Sequence, residues 1–375
     1  MRSNLLRTYC TVLFDNAYYF NPTHLKHKSV YSLLGIFGRY VEKKFIPFGT
    51  KYLSEAEPYL DQADSYNIRN GKKKNNLHGR LRRFVFSLQY SGVRQYFEQN
   101  QDIVAIAWNA RSDIRYIFMT AARDAGAKTL YLELSPFPNA IAVDPNGINF
   151  LNSVPRCSSF YFAYEHEQGW EHLKNYISAR VATKTDSEYA GIFDEPYIFV
   201  ALQTEGDSQL VDFGGKYTTV RSYLEDICTA SSQSANRRIL VKEHPNSRNS
   251  LVNLTNDFPN VEIVNDMDTV ELIQNADIVF TVNSSVGLES LILGTPVACS
   301  GQAFWDVEQL CYRAKNLDQL TSVMRQDSFE VNLELRNKFL SYLHNEYVIK
   351  LNWQADGVCR LPNTEISKVW KMLQD

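Results

Sequence analysis

The sequence predicts an α/β protein with two Rossmann-like domains, each a doubly wound parallel sheet. Its 375 residues are too many for one hydrophobic core of ordinary size. The first half contains a strand, a helix and a strand in succession, at 104–109, 113–125 and 129–134. The second half contains five apolar, β-branched runs separated by helical patterns, which is typical of strands covered by helices on both faces.

Composition excludes several classes of protein. Hydrophobic residues make up 44% of the chain, which indicates a folded, globular protein. The six cysteines are scattered without a CxxC pair, which predicts neither a disulfide framework nor a zinc site and favours a reducing cytoplasm. No run predicts a signal peptide or a transmembrane helix. Nucleic acid is not a predicted partner, because most of the chain is acidic and no nucleic-acid-binding motif occurs.

The first 100 residues are the basic end of the chain. They carry 16 Lys/Arg and 7 Asp/Glu, a balance of +9, whereas the remaining 275 residues, with 23 and 35, carry −12. The densest basic stretch lies at 69–83 and reads RNGKKKNNLHGRLRR. It is predicted to contact an anionic membrane or a phosphorylated glycolipid. The alternative is a solvated loop and helix face.

In chain order, the first half opens with a predicted strand at 8–14, and residues 15–100 show only an unresolved, aromatic-rich helical tendency. The strand, helix and strand that follow imply parallel pairing, so Glu133 is predicted at the carboxyl edge of a sheet. The stretch 135–156 is predicted to be a long functional loop. Glu133 and Asp144 are then two carboxylates that one loop can aim at one sugar substrate. The alternative is that Asp144, within V-D-P-N-G, only caps a turn.

The strands of the second half are predicted at 197–203, 238–244, 261–266, 277–282 and 296–300, and beyond residue 330 the pattern is helical. Parallel strands present their carboxyl ends together, so the polar residues that follow them are predicted to converge in one crevice. These residues are Gln203, Gln209, Lys242, His244, Asn283, Ser284 and Ser285.

The turn after the fourth of these strands gives the strongest binding signal. The sequence N-S-S at 283–285 precedes a helix predicted at 286–293, which ends at Gly294. Free N–H groups, hydroxyls and the helix dipole at such a terminus favour a phosphate. Gly287 allows another chain or a ligand to come close, and Glu289 is placed to bind a ribose. The alternative is a turn that only caps the helix.

Two further groups of side chains belong to the same predicted edge. His244, held by Pro245 at a strand end next to Lys242, is predicted to be a donor or cation for a nucleotide phosphate, the alternative being a structural histidine. Asp266 and Asp268 form a D-x-D pair. Asp268 is predicted to cap the next helix rather than to bind a metal, and no metal site is predicted.

A resemblance to the bacterial capsule polysaccharide biosynthesis family is carried by three segments of the second half: FVALQTEGDSQ, VKEHP and NADIVFTVNSSVGLESLILGTPVACSGQAFWD. That family includes transferases of β-linked Kdo (3-deoxy-D-manno-octulosonic acid) that use CMP-Kdo. In the first half, LYLELSPFPN and VDPNGINFLNSVPR are similar to the family's E…D-x-x-G-I pattern. One departure is that LSPFP replaces the acidic-aromatic run that typically follows the family's first glutamate, which leaves the subfamily and its acceptor open.

The resemblance implies a GT-B fold, in which two Rossmann-like domains face each other across a cleft and a C-terminal helix crosses back. It implies an acceptor-binding domain at 1–190 with a catalytic loop at 133–156. It also implies a nucleotide-sugar-binding domain at 191–340 and a helical tail at 341–375 that packs on the first domain.

The implied activity is a retaining transfer of Kdo from CMP-Kdo to a capsule or lipopolysaccharide glycan acceptor through an aspartyl-glycosyl intermediate. Asp144 would be the nucleophile and Glu133 an acid/base or substrate anchor. The donor phosphate would bind to Asn283, Ser284 and Ser285, and the phosphate or the sugar carboxylate to His244 and Lys242. The ribose would bind to Glu289 and the base to Gln203 and Gln209. No cofactor is implied, since CMP-Kdo is the donor substrate.

Two other functions stay open. One is a different enzyme of the same architecture, such as an inverting transferase, an epimerase or a hydrolase, in which Asp144 would only be structural. The other is a non-catalytic module of an assembly complex that binds a glycan or a nucleotide. The protein is predicted to be cytoplasmic, with a peripheral contact to the inner membrane through 69–83.

Overall fold

The computed structural model describes residues 12–14, 40–41, 48–69, 71–101, 104–135, 137–165, 169–179, 191–234, 237–247, 250–353, 359–360 and 362–373. The chain divides into a first unit, residues 1–135, 139–153 and 348–375, and a second unit, residues 136–138 and 154–347. The boundary between the units therefore lies near residue 154, whereas the sequence predicted it at 190. The end of the chain returns to the first unit at residue 348.

The first unit contains a six-stranded sheet. Its strands, numbered along the chain, are β1 (Val12–Phe14), β2 (Tyr40–Val41), β3 (Val104–Trp108), β4 (Thr129–Leu134), β5 (Ala140–Asp144) and β12 (Val348–Lys350). Their order is β12-β5-β4-β3-β1-β2. Strands β2, β1, β3 and β4 pair in parallel, as the doubly wound prediction requires, and their order reverses between β1 and β3. Strand β5 is antiparallel to both of its neighbours, β4 and β12.

Among the described residues, the helices of the first unit are Leu60–Arg69, Leu77–Gln99, Asp113–Asp124 and Asn363–Met372. The helix Leu77–Gln99 starts at Asn76, whose side chain accepts a hydrogen bond from the Gly79 N–H at 2.8 Å. It buries a stripe of residues spaced by three and four positions: Phe86, Tyr90, Val93 and Phe97. The ring of Phe97 packs edge-on against Phe118, with 5.8 Å between ring centroids.

The prediction of a long loop at 135–156 is wrong, because this stretch contains β5. Its residues Ile141 to Asp144 pair with β4 on one side, and Ala140 to Ala142 pair with β12 on the other. Local sequence did not indicate this strand, since Pro, Gly and Asn flank it closely. Likewise β12 lies in a stretch that was predicted to be helical. It is held by pairing with a strand about 200 residues earlier in the chain.

The second unit also contains a six-stranded sheet. Its strands are β6 (Tyr197–Ala201), β7 (Arg238–Lys242), β8 (Val261–Ile263), β9 (Ile278–Thr281), β10 (Val297–Cys299) and β11 (Tyr312–Arg313). All pair in parallel in the order β11-β10-β9-β6-β7-β8. Counted from β6, this is the Rossmann order 3-2-1-4-5-6, which reverses between β6 and β9. The five predicted strands and the predicted fold class, α/β with two Rossmann-like domains, are confirmed.

The helices of the second unit are Ser158–Phe162, His172–Ser178, Ser208–Phe213, Val220–Gln233, Thr269–Asn275, Ser285–Leu293, Leu317–Met324 and Leu333–Tyr342. Strands β6 and β9 are buried at every position, as expected where helices cover both faces of a parallel sheet. Within the described ranges, no helix of either unit combines the length and the apolar character needed to cross a membrane.

Candidate functional site

The strand order of the second unit reverses next to Gln203 and Asn283, which follow β6 and β9. Gln203 Nε2 donates to Asn283 Oδ1 at 2.9 Å, and the Asn283 backbone N–H donates to Gln203 Oε1 at 3.3 Å. Asn283 Nδ2 donates to the carbonyl oxygen of Gln209 at 2.8 Å. Both amides are buried, with 6% and 4% exposure. The side chains of Gln203 and Asn283 thus connect the loops that follow β6 and β9. This role differs from the direct contact with the donor phosphate that the resemblance implied for Asn283.

The helix Ser285–Leu293 begins at the same point of the sheet. Ser284 is its N-cap, and its Oγ accepts a hydrogen bond from the Val286 N–H at 3.3 Å. Ser285 is exposed, and its hydroxyl forms no hydrogen bond with any residue in the described ranges. The first turn therefore presents a hydroxyl and the positive end of the helix dipole to solvent, which together favour an anion. Glu289 lies one turn further along the helix and is half-buried.

Two glycines set the shape of this helix. A Cβ at Gly287 would overlap the indole ring of Trp305, which is only 1% exposed. The close approach at Gly287 is therefore made by Trp305 of this chain, whereas the sequence predicted another chain or a ligand there. The helix ends at Gly294 as predicted, because its φ of 96° lies in the left-handed region that glycine adopts most easily.

His244 and Lys242 lie at the carboxyl end of β7. His244 is half-buried, and its Nδ1 accepts a hydrogen bond from the Asn246 N–H at 3.1 Å. Since Nδ1 accepts this bond, Nε2 is the ring nitrogen that is left to act as a donor. The Lys242 ammonium donates to the carbonyl oxygen of Met267. Burial lowers the pKa of Lys242, and the carboxylates of Asp268 and Asp266 act in the opposite direction.

Glu243 holds the loop that carries His244, a role that was not predicted. It is 7% exposed, and its Oε1 accepts a hydrogen bond from the Leu251 N–H at 2.8 Å. Its Oε2 accepts one from Asn265 Nδ2 at 2.8 Å, while the Glu243 N–H donates to Asn265 Oδ1 at 2.9 Å. The sequence signal that could have indicated this role is the acidic residue between Lys242 and His244. Its burial depends on pairing with the loop after β8, which local sequence does not show.

Asp268 of the D-x-D pair caps a helix, as predicted. Asp268 caps the helix Thr269–Asn275 by accepting hydrogen bonds from the N–H groups of Val270 at 2.7 Å and Glu271 at 3.3 Å. Across the described part of the chain, no three or more His, Cys, Asp or Glu side chains are grouped so that they could hold a metal ion.

Glu133 lies at the carboxyl end of β4 in the first unit. It is half-buried, and its Oε2 accepts a hydrogen bond from Asn109 Nδ2 at 2.6 Å. Asn109 follows β3 and starts a strained loop, since Asn109, Ala110 and Asp113 all have positive φ, at 63°, 54° and 55°. Strained backbone of this kind concentrates at functional sites. Burial raises the pKa of the Asp113 carboxyl at the end of this loop.

Asp144 lies elsewhere on the same sheet, because β5 runs back from the edge where β4 ends. It pairs with Tyr131, whereas Glu133 pairs with Ala142. Asp144 is 0% exposed. Its Oδ1 accepts hydrogen bonds from the N–H groups of Asn146 at 2.8 Å and Gly147 at 3.2 Å.

The second oxygen of Asp144 is also fully used. Oδ2 accepts hydrogen bonds from the N–H and the hydroxyl of Ser153, both at 2.7 Å. All four bonds come from the segment that follows β5, which is the turn-capping arrangement considered as the alternative. In this arrangement no sugar carbon can reach the carboxylate, so the role of Asp144 as a nucleophile stays a prediction.

Two Rossmann-type sheets, with the N-terminus of the helix Ser285–Leu293 at the strand-order reversal of the second and His244 after β7, the strand next to β6, define the class of doubly wound α/β proteins. Residues 161–347 match the family model described as "Capsule polysaccharide biosynthesis protein". The chain belongs to this capsule polysaccharide biosynthesis family, as its sequence motifs indicated.

Named relatives agree with this assignment. The chain is 28% identical to Protein FixF of Sinorhizobium fredii over 72% of its own length and 66% of FixF. It is also 28% identical to the capsule polysaccharide export protein KpsS of Escherichia coli, over 40% of each chain. The chain thus spans less than two thirds of the length of either relative.

A solved structure supports the fold. The β-Kdo 2,7-transferase KpsC of Thermosulfurimonas dismutans matches with a TM-score of 0.54 and 14% identity, over 96% of this chain and 99% of that one. At this level of identity, the likeness concerns the fold alone.

Proposed function

We propose that the protein is a glycosyltransferase that transfers Kdo from CMP-Kdo to a capsule or lipopolysaccharide glycan acceptor. Membership of the capsule family and the fold shared with a KpsC β-Kdo transferase support this function. The observation that carries it is that Ser284, Ser285 and His244 follow β9 and β7 at the same carboxyl edge of the second sheet, on the two sides of β6, where the strand order reverses.

The donor phosphate binds at the start of the helix Ser285–Leu293 in this proposal. The exposed Ser285 hydroxyl and the N-terminal N–H groups donate to it, and His244 Nε2 supplies a further donor. Glu289 accepts hydrogen bonds from the ribose, and the Gln209 side chain borders the base. Gln203 and Asn283 hold these loops in register through their mutual amide hydrogen bonds. Lys242 adds positive charge from the neighbouring strand end.

Glu133 is the carboxylate that meets the sugar or the acceptor first. It is partly exposed at a strand end, whereas Asp144 is covered.

Retention through Asp144 requires residues 145–153 to release its carboxylate. One oxygen then bonds to the anomeric carbon as the bond to the CMP phosphate breaks, and the acceptor hydroxyl later displaces the carboxylate. The burial of Asp144 favours one specific alternative, an inverting transfer in which Glu133 acts as the base.

Incubation with CMP-Kdo and a panel of Kdo-terminated or lipid-linked acceptors tests the activity. We expect CMP release that is matched by a new glycoside. CMP release without a glycoside would indicate a hydrolase, and no reaction with any acceptor would favour a binding module.

The mechanism is tested on the same product. The anomeric configuration of the glycoside, measured by NMR, separates retention from inversion. Under retention, intact mass spectrometry with CMP-Kdo is expected to show a Kdo adduct on the Asp144 peptide. An adduct on Glu133, or an inverted product, would remove Asp144 from the mechanism.

A further inference from the structure

The helix Leu77–Gln99 carries two apolar stripes, only one of which faces the core. The second stripe, here called the apolar ridge, consists of Leu77, Leu81 and Phe84, spaced by four and three positions on one face. These residues are 79%, 58% and 53% exposed. Single exposed apolar residues are ordinary on a protein surface, but three that line one helix face mark an interaction surface.

Part of the basic segment at 69–83 is used inside the protein. Arg82 forms a bidentate ion pair with the buried Asp64, at 2.7 Å from Nε and 2.9 Å from Nη2. Arg83 and Lys74 both pair with Asp61. These ion pairs hold the start of the helix Leu77–Gln99 against the helix Leu60–Arg69. Part of the basic segment at 69–83 therefore has a structural role.

The remaining charges form a group here called the surface cations, Lys72, Lys73 and Arg80. All three are exposed. Within the described residues, Lys73 and Arg80 form no ion pair, and Lys72 donates to the neutral amide oxygen of Asn67 at 2.9 Å. Among the described residues, the positive charges of Lys73 and Arg80 are therefore not cancelled by acidic partners, whereas Lys72 acts electrostatically on Asp113, which lies in the same pocket wall.

A pocket of about 1050 Å³ connects the two features. Its walls include Lys72 and Lys73 from the surface cations, Leu81 from the apolar ridge, and His78. Phe86 and Ile114 also line it, so apolar and basic groups share one concave surface. Such a surface is suited to an amphiphile with a phosphate head group and an apolar chain.

We infer that this surface docks onto an anionic phospholipid bilayer. The apolar ridge enters the boundary between head groups and acyl chains, while the surface cations contact lipid phosphates. A second copy of the chain fits less well, because a two-fold interface at the ridge would bring the surface cations of both copies together. The inference is independent of the proposed chemistry, since it concerns where the protein is held.

Co-sedimentation of the full chain with vesicles of phosphatidylglycerol and phosphatidylcholine tests this docking. We expect the wild type to bind, and raised salt to weaken binding. The triple variant Leu77→Ser, Leu81→Ser, Phe84→Ser should bind at least about 30-fold more weakly, because the apolar transfer is lost. Neutralising Lys72, Lys73 and Arg80 to Gln should weaken binding at low salt by about fivefold per charge.

A matched control keeps this test specific. Leu333→Ser removes a residue of the second unit that is also 58% exposed, and its binding to vesicles should equal that of the wild type. Thermal unfolding and transfer to a soluble acceptor report on folding and catalysis separately. The inference is overturned if the wild type does not bind vesicles, if the ridge variant binds as tightly, or if the ridge variant abolishes a wild-type dimer seen by light scattering.

Discussion

The two sheets differ in strand direction, and the assumption that all strands are parallel predicts the second sheet correctly but not the first. In the second unit every strand is parallel, so the residues that follow β6, β7 and β9 meet at one edge, as predicted. In the first unit β5 runs antiparallel to β4. The chain that leaves Glu133 therefore turns back, and Asp144 ends opposite Tyr131 with its carboxylate bonded to its own loop.

This difference shows what strand direction does to a candidate site. Where all strands of a sheet are parallel, the residues that follow the strands lie together at its carboxyl edge. Where one strand reverses, two carboxylates that are 11 positions apart take different environments. One is half exposed beside Asn109, and the other is buried under four hydrogen bonds. Variants that act on one sheet and spare the other can test this contrast.

The largest effect is expected from Glu133→Gln. The amide keeps the size of the side chain but removes its charge and its capacity to take a proton, so transfer should fall by at least about 100-fold. Stability and CMP affinity should change little, because Glu133 is only half-buried. Steady-state kinetics with CMP-Kdo measure the rate. The control Glu262→Gln makes the same change on β8 and should leave the rate within about twofold. Full activity of Glu133→Gln would exclude a catalytic contact.

Asp144→Asn should act on stability. Asn has one accepting oxygen, and while this oxygen keeps the bonds from Asn146 and Gly147, the NH2 group cannot accept those from Ser153. A buried N–H is then left without a partner, at a cost of about 2–3 kcal/mol. Chemical denaturation of wild type and variant measures this loss, and Ser153→Ala, which removes only the hydroxyl bond, should cost less. Unchanged stability together with abolished transfer would instead identify Asp144 as the nucleophile.

Gly287→Ala should destabilise the second unit by about 1–3 kcal/mol, because the added methyl group overlaps the ring of Trp305. Thermal unfolding followed by tryptophan fluorescence and circular dichroism measures the change. Combining it with Trp305→Leu should be less destabilising than the sum of the two single changes, since the smaller side chain makes room. Full additivity would show that the two residues do not press on one another.

The smallest effect is expected from removal of divalent ions. A monophosphate leaving group can be stabilised by a helix N-terminus and His244 without a metal, so activity in excess chelator should stay within about twofold. The assay is CMP release in the presence and absence of EDTA. Complete loss of activity that magnesium restores would contradict the proposed site and return attention to Asp266 and Asp268.

Much of the second unit could be predicted from the sequence, because its strands are continuous apolar runs and its helices end at clear signals such as Gly294. Parallel pairing alone placed His244, Ser284 and Ser285 after strands that end at the same edge of the sheet. The mutual amide bonds of Gln203 and Asn283 could not be foreseen, since they depend on how two loops meet.

The first unit was less predictable for physical reasons. The helix Leu77–Gln99 has apolar residues on two faces, which blurs the periodicity expected of an amphipathic helix. Strands β5 and β12 stabilise each other across about 200 residues of sequence, so neither has a clear local pattern. Because the direction of β5 was unknown, the position of Asp144 could not be derived.

Calorimetric titration of CMP tests the central claim that the second unit binds the nucleotide at the start of the helix Ser285–Leu293. Ser284→Ala with Ser285→Ala should weaken CMP binding by about tenfold, because two hydroxyls and the N-cap are lost. Asn332→Ala removes an equivalent N-cap from the helix Leu333–Tyr342 and should leave CMP affinity unchanged. Equal CMP affinity in the serine variant and the wild type would contradict this location of the nucleotide site.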